Sequence, residues 1–96
     1  MKNITDLLIN ESNIAVNIIL NGSGSMTDRD MTESIKKILK QFNNANLFVY
    51  NTSNDEVVEL NGINEFKPGG PHNNKLDGLN KFFKSHLGEN NIFMTN

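Results

Sequence analysis

Residues 14–26 run Ile14-Ala15-Val16-Asn17-Ile18-Ile19-Leu20-Asn21-Gly22-Ser23-Gly24-Ser25-Met26, and they join an apolar strand to a small, hydroxyl-rich turn. Within residues 14–20 only Asn17 is polar, which is typical of a central parallel strand covered by helices on both faces. In α/β folds, the turn that follows such a strand and leads into a helix is a common place for a ligand site. We therefore predict an α/β domain with a candidate site in the turn after residue 20.

Two amphipathic helices are predicted after this turn. The first, at about residues 28–43, follows an apolar stripe formed by Met31, Ile35, Ile38, Leu39 and Phe42. Acidic residues at its start and lysines near its end complement the helix dipole. The second, at about residues 74–87, follows a stripe formed by Leu76, Leu79, Phe83 and Leu87, and Gly88 can end it in the left-handed conformation.

Three further short strands are predicted at residues 46–50, 56–60 and 91–96. The turn at residues 51–55 is short enough for the first two of them to form an antiparallel hairpin. Residues 62–74 are expected to form a loop, because Pro68-Gly69-Gly70-Pro71 interrupts regular structure. The resulting order is β-α-β-β-α-β in a single domain of residues 1–96, with residues 1–12 as a lead-in segment.

The bulk composition excludes several classes of function. The formal net charge is −2, which gives no electrostatic basis for binding nucleic acid or anionic membranes. The absence of cysteine excludes disulfides and thiolate metal sites. No apolar run approaches the roughly 18 residues that a membrane span needs, and residues 1–12 are too polar and acidic for a signal peptide. We therefore expect a cytoplasmic protein that binds neither nucleic acid nor membrane.

Three segments of the chain resemble, in order and spacing, the metal-ion-dependent adhesion site of von Willebrand factor A-like domains. In that family, the site combines Asp-x-Ser-x-Ser after the first strand, a threonine in a glycine-rich loop and an aspartate after a later strand. Here the segments are Asn21-Gly22-Ser23-Gly24-Ser25, Phe66-Lys67-Pro68-Gly69-Gly70-Pro71-His72-Asn73 and Ile92-Phe93-Met94-Thr95-Asn96. His72 falls near the position of the threonine, while Asn21 and Asn96 take the positions of the two aspartates.

The resemblance implies a three-layer, Rossmann-like fold with a four-stranded mixed sheet of order 3-2-1-4. The full family fold has six strands, so the chain corresponds to a truncated version that ends after the fourth, most similar to short bacterial and phage forms. The fourth strand would lie at an edge of the sheet without a charged residue to discourage pairing. We expect this edge to pair with a second copy, as a homodimer, or with a partner protein. Alternatively, residues 1–12 cover it.

The exchanged residues predict a degenerate metal site. Mg²⁺ and Mn²⁺ prefer about six oxygen ligands, and the two family carboxylates balance the charge of the ion. Each change from Asp to Asn removes a negative charge worth roughly 4 kcal/mol per unit of cation charge at about 4 Å and an effective dielectric constant of about 20. We therefore expect no resident cofactor. Asn21, Ser23 and Ser25 are only weak candidates for metal ligands, and Mg²⁺ or Mn²⁺ would bind with low affinity.

The sequence thus favours a non-enzymatic protein-interaction module whose contact face is the former metal face. The predicted binding surface consists of Asn21, Ser23, Ser25, Met26, His72, Asn73 and Asn96. Asparagine is the most frequent residue, as expected from an AT-rich genome, and with the small size this suggests a phage accessory protein that engages a host factor in the host cytoplasm. Two alternatives stay open: a divalent-cation-dependent ligand-binding domain with weak affinity for Mg²⁺ or Mn²⁺, and a small hydrolase or nucleotide binder.

Simpler interpretations of the same residues also stay open. The turn at residues 21–25 can be a flexible connection, His72 a solvated loop residue, and Met26 a packing residue. The chain lacks the Gly-x-Ser-x-Gly spacing of a hydrolase and the third glycine of a dinucleotide motif, so we expect no enzymatic activity. The dipeptide Asn21-Gly22 is prone to deamidation, which would restore an acid there.

Overall fold

The computed structural model describes residues 16–73 and 75–96. Its strands and helices are β1 (Val16–Asn21), α1 (Arg29–Gln41), β2 (Asn46–Asn51), β3 (Glu56–Leu60), α2 (Asp77–Ser85) and β4 (Asn90–Met94). Short 3₁₀ turns lie at Gly24–Thr27 and Ile63–Glu65. The β-α-β-β-α-β order predicted from the sequence is confirmed.

The four strands form one mixed sheet in the predicted order β3-β2-β1-β4. β1 is parallel to both β2 and β4, and Ile18 is in register with Leu47 on one side and Ile92 on the other. β2 and β3 form the predicted antiparallel hairpin, with Val49 opposite Val58. The inner strand β1 therefore delivers the turn of the candidate site to the middle of the carboxyl edge of the sheet.

The apolar run of β1 is explained by burial on both faces of the sheet. Ile18 and Leu20 pack in a core with Ile35 of α1, while Ile19 packs in a second core with Leu79 of α2. The three β1 side chains are 0% exposed. Burying each one contributes roughly 1.5–3 kcal/mol to folding through the hydrophobic effect. The helices therefore hold β1, and the turn that follows it, from both sides.

The helix boundaries differ from the predicted ones. α1 begins at Arg29 rather than at residue 28, because Asp28 is the N-cap residue with an extended ψ of 140°. α2 begins at Asp77 rather than at residue 74, because Leu76 adopts a left-handed conformation with φ of 57°. The helices end at residues 41 and 85, each two residues before the predicted end.

Other differences concern the predicted apolar stripe and the last strand. Leu87 was expected in the stripe of α2 but is 80% exposed beyond the end of the helix, and Phe82 is buried in its place. β4 spans residues 90–94 rather than 91–96. The expectations for residues 1–15 and for residue 74, including the lead-in segment, lie outside the described residues.

Asn17, the polar residue within the apolar run, belongs to a row of side-chain amides that crosses three strands. Its register partners are Asn46 in β2 and Asn91 in β4. Asn46 Nδ2 donates to Asn17 Oδ1 at 3.1 Å, and Asn17 Nδ2 donates to Asn91 Oδ1 at 2.9 Å and to Glu89 Oε1 at 3.0 Å. Because Asn17 is only 1% exposed, these bonds replace its lost contacts with water. The row favours this register over a shifted one.

The hairpin turn is joined to the start of α2 through Asp55. This residue has a positive φ of 53°, and its Oδ1 accepts hydrogen bonds from the Tyr50 hydroxyl and from Gly78 N–H. A carboxylate at the first turn of a helix is favourable because it faces the positive end of the helix dipole. A Cβ atom at Gly78 would collide with the backbone oxygen of Asp55. Only glycine allows the helix to approach the hairpin this closely.

Candidate functional site

Backbone hydrogen bonds bring the turn after β1 against the glycine-rich loop before α2. Gly22 O accepts from Gly69 N at 3.1 Å and from Gly70 N at 3.0 Å, and Gly24 N donates to Gly70 O at 3.0 Å. Ser23 and Gly70 form an isolated parallel bridge. The first and second segments singled out in the sequence are therefore neighbours in space.

Glycine is required where these segments meet. A Cβ at Gly22 would lie 2.7 Å from the backbone oxygen of Tyr50, which accepts the Gly22 N–H at 2.9 Å. A Cβ at Gly70 would collide with Oγ1 of Thr52. Close approach to the backbone of Tyr50 explains Gly22, and close approach to the side chain of Thr52 explains Gly70.

Asn21 and Asn96 both act as hydrogen-bond donors at this edge of the sheet. Asn21 Nδ2 donates to Thr95 Oγ1 at 2.9 Å, which ties the end of β1 to the residue after β4. Asn96 Nδ2 donates to the backbone oxygen of Ser25 at 3.0 Å. An ionised carboxylate has no proton to donate, so an aspartate at position 96 could not bond to Ser25 O. An aspartate at position 21 could keep the contact with Thr95 only by accepting from the threonine hydroxyl. The third segment is thus joined to the first through amide groups.

The remaining oxygen atoms of the first segment bond to one another. Ser23 Oγ lies 2.8 Å from Ser25 Oγ, and Asn21 Oδ1 accepts the Ser23 N–H at 3.3 Å. Ser23 is 5% exposed, whereas Ser25 is exposed on the surface. These three side-chain oxygens are the ones that could hold a cation, and all three are neutral.

A pocket of about 220 Å³ opens beside this network. Four of the predicted binding residues line it: Asn21, Ser23, His72 and Asn73. Four further residues complete the wall: Thr52, Leu76, Phe93 and Thr95. None of these eight residues carries an acidic or lysine or arginine side chain, so the pocket offers neutral hydrogen-bonding groups, one imidazole and an apolar wall.

The other predicted binding residues lie elsewhere. Ser25 and Asn96 are exposed beside the pocket without lining it. Met26 was predicted on the contact face, but it is 1% exposed and packs in the core with Ile35 of α1. The 3₁₀ turn at Gly24–Thr27 directs this side chain inward, so Met26 does not contribute to the surface.

Asn73 and Thr52 position the side of the pocket farthest from β4. Asn73 Nδ2 donates to Thr52 O at 2.9 Å, and Lys75 N donates to Asn73 Oδ1 at 2.8 Å. Asn73 therefore connects its loop to the residue that follows β2. Thr52 is 4% exposed. Its Oγ1 is a buried side-chain oxygen without a hydrogen-bond partner among the described residues, which is an unusual cost in a folded protein.

Thr52 and Thr95 were missed by the sequence reasoning, although a signal for both was present. Thr52 lies two residues after one predicted strand and Thr95 near the end of another, and the carboxyl ends of neighbouring parallel strands meet at one edge of a sheet. Thr95 also lies inside the third segment quoted from the sequence. The position of each threonine near the end of its strand would have placed it at the site.

The described residues contain no cluster of three or more histidine, cysteine, aspartate or glutamate side chains that could hold a metal ion. In the same part of the chain, neither helix is long and apolar enough to cross a membrane. Comparisons with protein-family models, curated proteins and solved structures found no match to this chain. The structure establishes a small α/β domain with a four-stranded mixed sheet whose carboxyl edge carries the candidate site.

Proposed function

We propose that this chain is a protein-interaction domain that uses the carboxyl edge of its sheet as the contact surface. The surface is formed by Asn21, Ser23, Ser25, His72, Asn73 and Asn96, with the pocket described above at its centre. The observation that carries the proposal is the use of two amide donors, Asn21 to Thr95 and Asn96 to Ser25, where the resembling family has metal-associated acids.

Electrostatics argue against a metal-dependent version of this function. A divalent ion between Ser23 and Ser25 would meet neutral oxygens only, while losing its hydration shell. Two carboxylates at about 4 Å would each contribute roughly 4 kcal/mol per unit of cation charge at an effective dielectric constant of about 20. Without these carboxylates, little offsets the cost of removing water from the ion. We therefore propose a mode of binding that needs no ion.

The chemistry of the pocket indicates what kind of partner group fits. Leu76 and Phe93 supply apolar surface, while Ser23 and Asn73 supply neutral polar groups near it. A volume of about 220 Å³ is smaller than the roughly 300–1,000 Å³ of typical small-molecule sites. It suits a single side chain inserted from a partner protein, in the manner of an interface anchor. An uncharged side chain with both apolar and hydrogen-bonding parts is the expected occupant.

The arrangement of hydroxyl groups supports a binding role over hydrolysis. A serine nucleophile needs a base within hydrogen-bond reach. Ser23 Oγ is instead bonded to Ser25 Oγ, and among the described contacts His72 makes no hydrogen bond to either serine. The resemblance to short phage proteins is the basis for proposing that the partner is a host factor in the host cytoplasm.

The proposal is tested by capture of partners from an extract of the native cells, with and without a chelator. The wild-type chain should retain a defined protein in both conditions, and His72→Asp, which places a charge at the mouth of the pocket, should lose it. Lys84→Asp, on the exposed surface of α2, is the matched control and should retain it. Identical capture by all three proteins would refute the proposed surface, and loss of capture in chelator would favour the metal-dependent alternative.

A second interaction is proposed at β4, which is an edge strand of the sheet among the described residues. The sequence of β4 is Asn-Asn-Ile-Phe-Met without a charge, whereas the opposite edge strand, β3, carries Glu56 and Glu59. Natural sheet edges are commonly protected by charges, so β4 has the character of an inner strand. We propose that β4 pairs with β4 of a second copy.

Light scattering tests this pairing. The wild-type chain should show the mass of a dimer, and Asn90→Lys should reduce it to that of a monomer by placing a charge at the exposed start of β4. Asn44→Lys, in the exposed turn after α1, should remain dimeric as the control. A wild-type monomer at high protein concentration would rule out self-pairing.

A further inference from the structure

Asn-Gly, the dipeptide most prone to spontaneous deamidation, occurs twice in this chain, at Asn21-Gly22 and at Asn61-Gly62. The sequence treats the two sites alike, but the fold does not. We propose that Asn61 is a deamidation site of the folded protein, whereas the structure protects Asn21. This inference does not depend on the proposed binding function.

The reaction at such a site starts at the backbone nitrogen of the glycine. That nitrogen loses its proton to solvent and forms a bond with Cγ of the asparagine. The Cγ–Nδ2 bond then breaks, and Nδ2 leaves as ammonia after taking up a proton from water. Water opens the resulting cyclic imide at either carbonyl, which gives aspartate or isoaspartate. The glycine N–H must therefore be accessible, and the asparagine side chain must be free to turn toward it.

Both requirements are blocked at Asn21-Gly22. Gly22 is buried, and its N–H donates to Tyr50 O at 2.9 Å as a continuation of the parallel pairing of β1 with β2. The side chain of Asn21 is held at both ends, by Thr95 Oγ1 and by Ser23 N–H. Attack on Cγ would require the end of β1 to separate from β2 and the amide to leave its partners.

Neither requirement is blocked at Asn61-Gly62. This dipeptide follows the end of β3, and Asn61 is exposed. Within the described residues, no acceptor is bonded to Gly62 N–H. The only side-chain hydrogen bond of Asn61 there is a long one, from Nδ2 to Glu65 Oε2 at 3.4 Å.

The new charge at position 61 would also act on the adjoining turn. Glu65 Oε1 accepts the backbone N–H of Asn61 at 2.7 Å, and Glu65 N–H closes the 3₁₀ turn by donating to Gly62 O. A carboxylate at position 61 would face the Glu65 carboxylate and replace an attraction with a repulsion. Deamidation is therefore expected to loosen the 3₁₀ turn at Ile63–Glu65.

Peptide mapping by mass spectrometry during incubation at mildly alkaline pH tests the inference. In the folded protein, the peptide that contains Asn61 should gain the mass of deamidation at least about ten times faster than the peptide that contains Asn21, because the latter needs local opening. In urea, the two rates should become similar. Equal rates in the folded protein, or faster reaction at Asn21, would overturn the proposal.

Gly62→Ala provides the matched control. Its new Cβ would lie 2.9 Å from Oδ1 of Asn64, an exposed side chain that can move aside, and the extended backbone accepts alanine. This variant should fold. Its Asn61 should deamidate at most about one tenth as fast as in the wild type, because the methyl group hinders attack by the backbone nitrogen. An unchanged rate at position 61 would show that the mass gain does not arise through the Gly62 nitrogen.

Discussion

The hydroxyl of Tyr50 donates a hydrogen bond to Oδ1 of Asp55 across the hairpin turn between β2 and β3. Tyr50 is 0% exposed and lies in the core beneath α2. The same carboxylate oxygen receives Gly78 N–H from the first turn of α2. The buried Tyr50 hydroxyl thereby holds Asp55, the residue that joins the hairpin to the start of α2.

Removing this hydroxyl should destabilise the protein without changing its fold. Tyr50→Phe keeps the ring in the core but leaves Asp55 with one fewer donor. We expect the free energy of unfolding to fall by about 0.5–1.5 kcal/mol, the net contribution of a typical hydrogen bond, because water can bond to Asp55 in place of the hydroxyl. Urea denaturation measures this change. A midpoint equal to that of the wild type would show that the bond contributes nothing to stability.

The same pair predicts how stability depends on pH. Burial is the largest cause and the hydrogen bond to Asp55 is the second, and they raise the pKa of Tyr50 from 10.0 to about 12. A pKa that is higher in the folded state gives stability that is complete below pH 10 and is lost as the pH rises toward 12. The hydrogen bond from Tyr50 is the largest cause that lowers the pKa of Asp55 below 3.8, and the bond from Gly78 N–H is the second. The contribution of Asp55 to stability is therefore present above pH 3.8 and is lost in stronger acid.

Urea midpoints measured across the pH range test both the alkaline and the acid part of this dependence. The wild-type midpoint should fall between pH 10 and pH 12, and Tyr50→Phe should lack that part of the loss. Below pH 3.8 the wild-type midpoint should fall further than that of the variant, because the variant has lost the main cause of the low Asp55 pKa. Parallel curves for the two proteins would contradict the assignment.

The contact between α2 and the hairpin should tolerate no side chain at Gly78. Gly78→Ala would place Cβ against the backbone oxygen of Asp55, which cannot move aside as a flexible side chain can. We expect a loss of about 1–3 kcal/mol or more, as for other overpacked positions. Gly24→Ala is the matched control, since its nearest neighbours would lie 3.9 Å away. Thermal unfolding of the two variants compares them, and equal melting temperatures would contradict the close approach.

The amide row at the other end of β1 gives a prediction about the sheet. Asn17→Leu keeps a similar volume but removes the bonds to Asn46, Glu89 and Asn91. Asn46 is exposed and Glu89 and Asn91 are half-buried, so water can replace part of these bonds, and we expect a loss of about 0.5–1.5 kcal/mol, the net contribution of a typical hydrogen bond. Urea denaturation should show this loss, whereas Asn44→Ala, in an exposed turn, should be nearly neutral. A leucine variant at least as stable as the wild type would show that the row serves no stabilising role.

The scaffold was largely predictable from the sequence because hydrophobic pattern and turn residues report on local structure. The two-sided burial of Ile18, Ile19 and Leu20 was visible as an unbroken apolar run, and β3 has the predicted bounds. The start of α2 was not predictable, since Leu76 adopts a left-handed conformation that leucine rarely takes by itself.

The site was predictable only in part, for a related reason. Segment spacing identified Asn21, Ser23, His72 and Asn73, which line one pocket. Whether a side chain faces the pocket or the core depends on the local backbone path, and the 3₁₀ turn sends Met26 inward. The amide row of Asn17 and the contact of Gly78 with Asp55 depend on strand register and helix docking, which no short motif encodes.

We propose that neutral amides at positions 21 and 96 leave this edge of the sheet without affinity for a divalent ion. Thermal unfolding of the wild-type chain and of the double variant Asn21→Asp/Asn96→Asp over a range of Mg²⁺ and Mn²⁺ concentrations tests this proposal. The wild-type melting temperature should not respond to either ion beyond the effect of ionic strength. The double variant carries two carboxylates near Ser23 and Ser25, and its melting temperature should rise with saturable dependence on the ion. Saturable stabilisation of the wild-type chain by Mg²⁺ or Mn²⁺ would show that the neutral site binds these ions and would contradict the proposal.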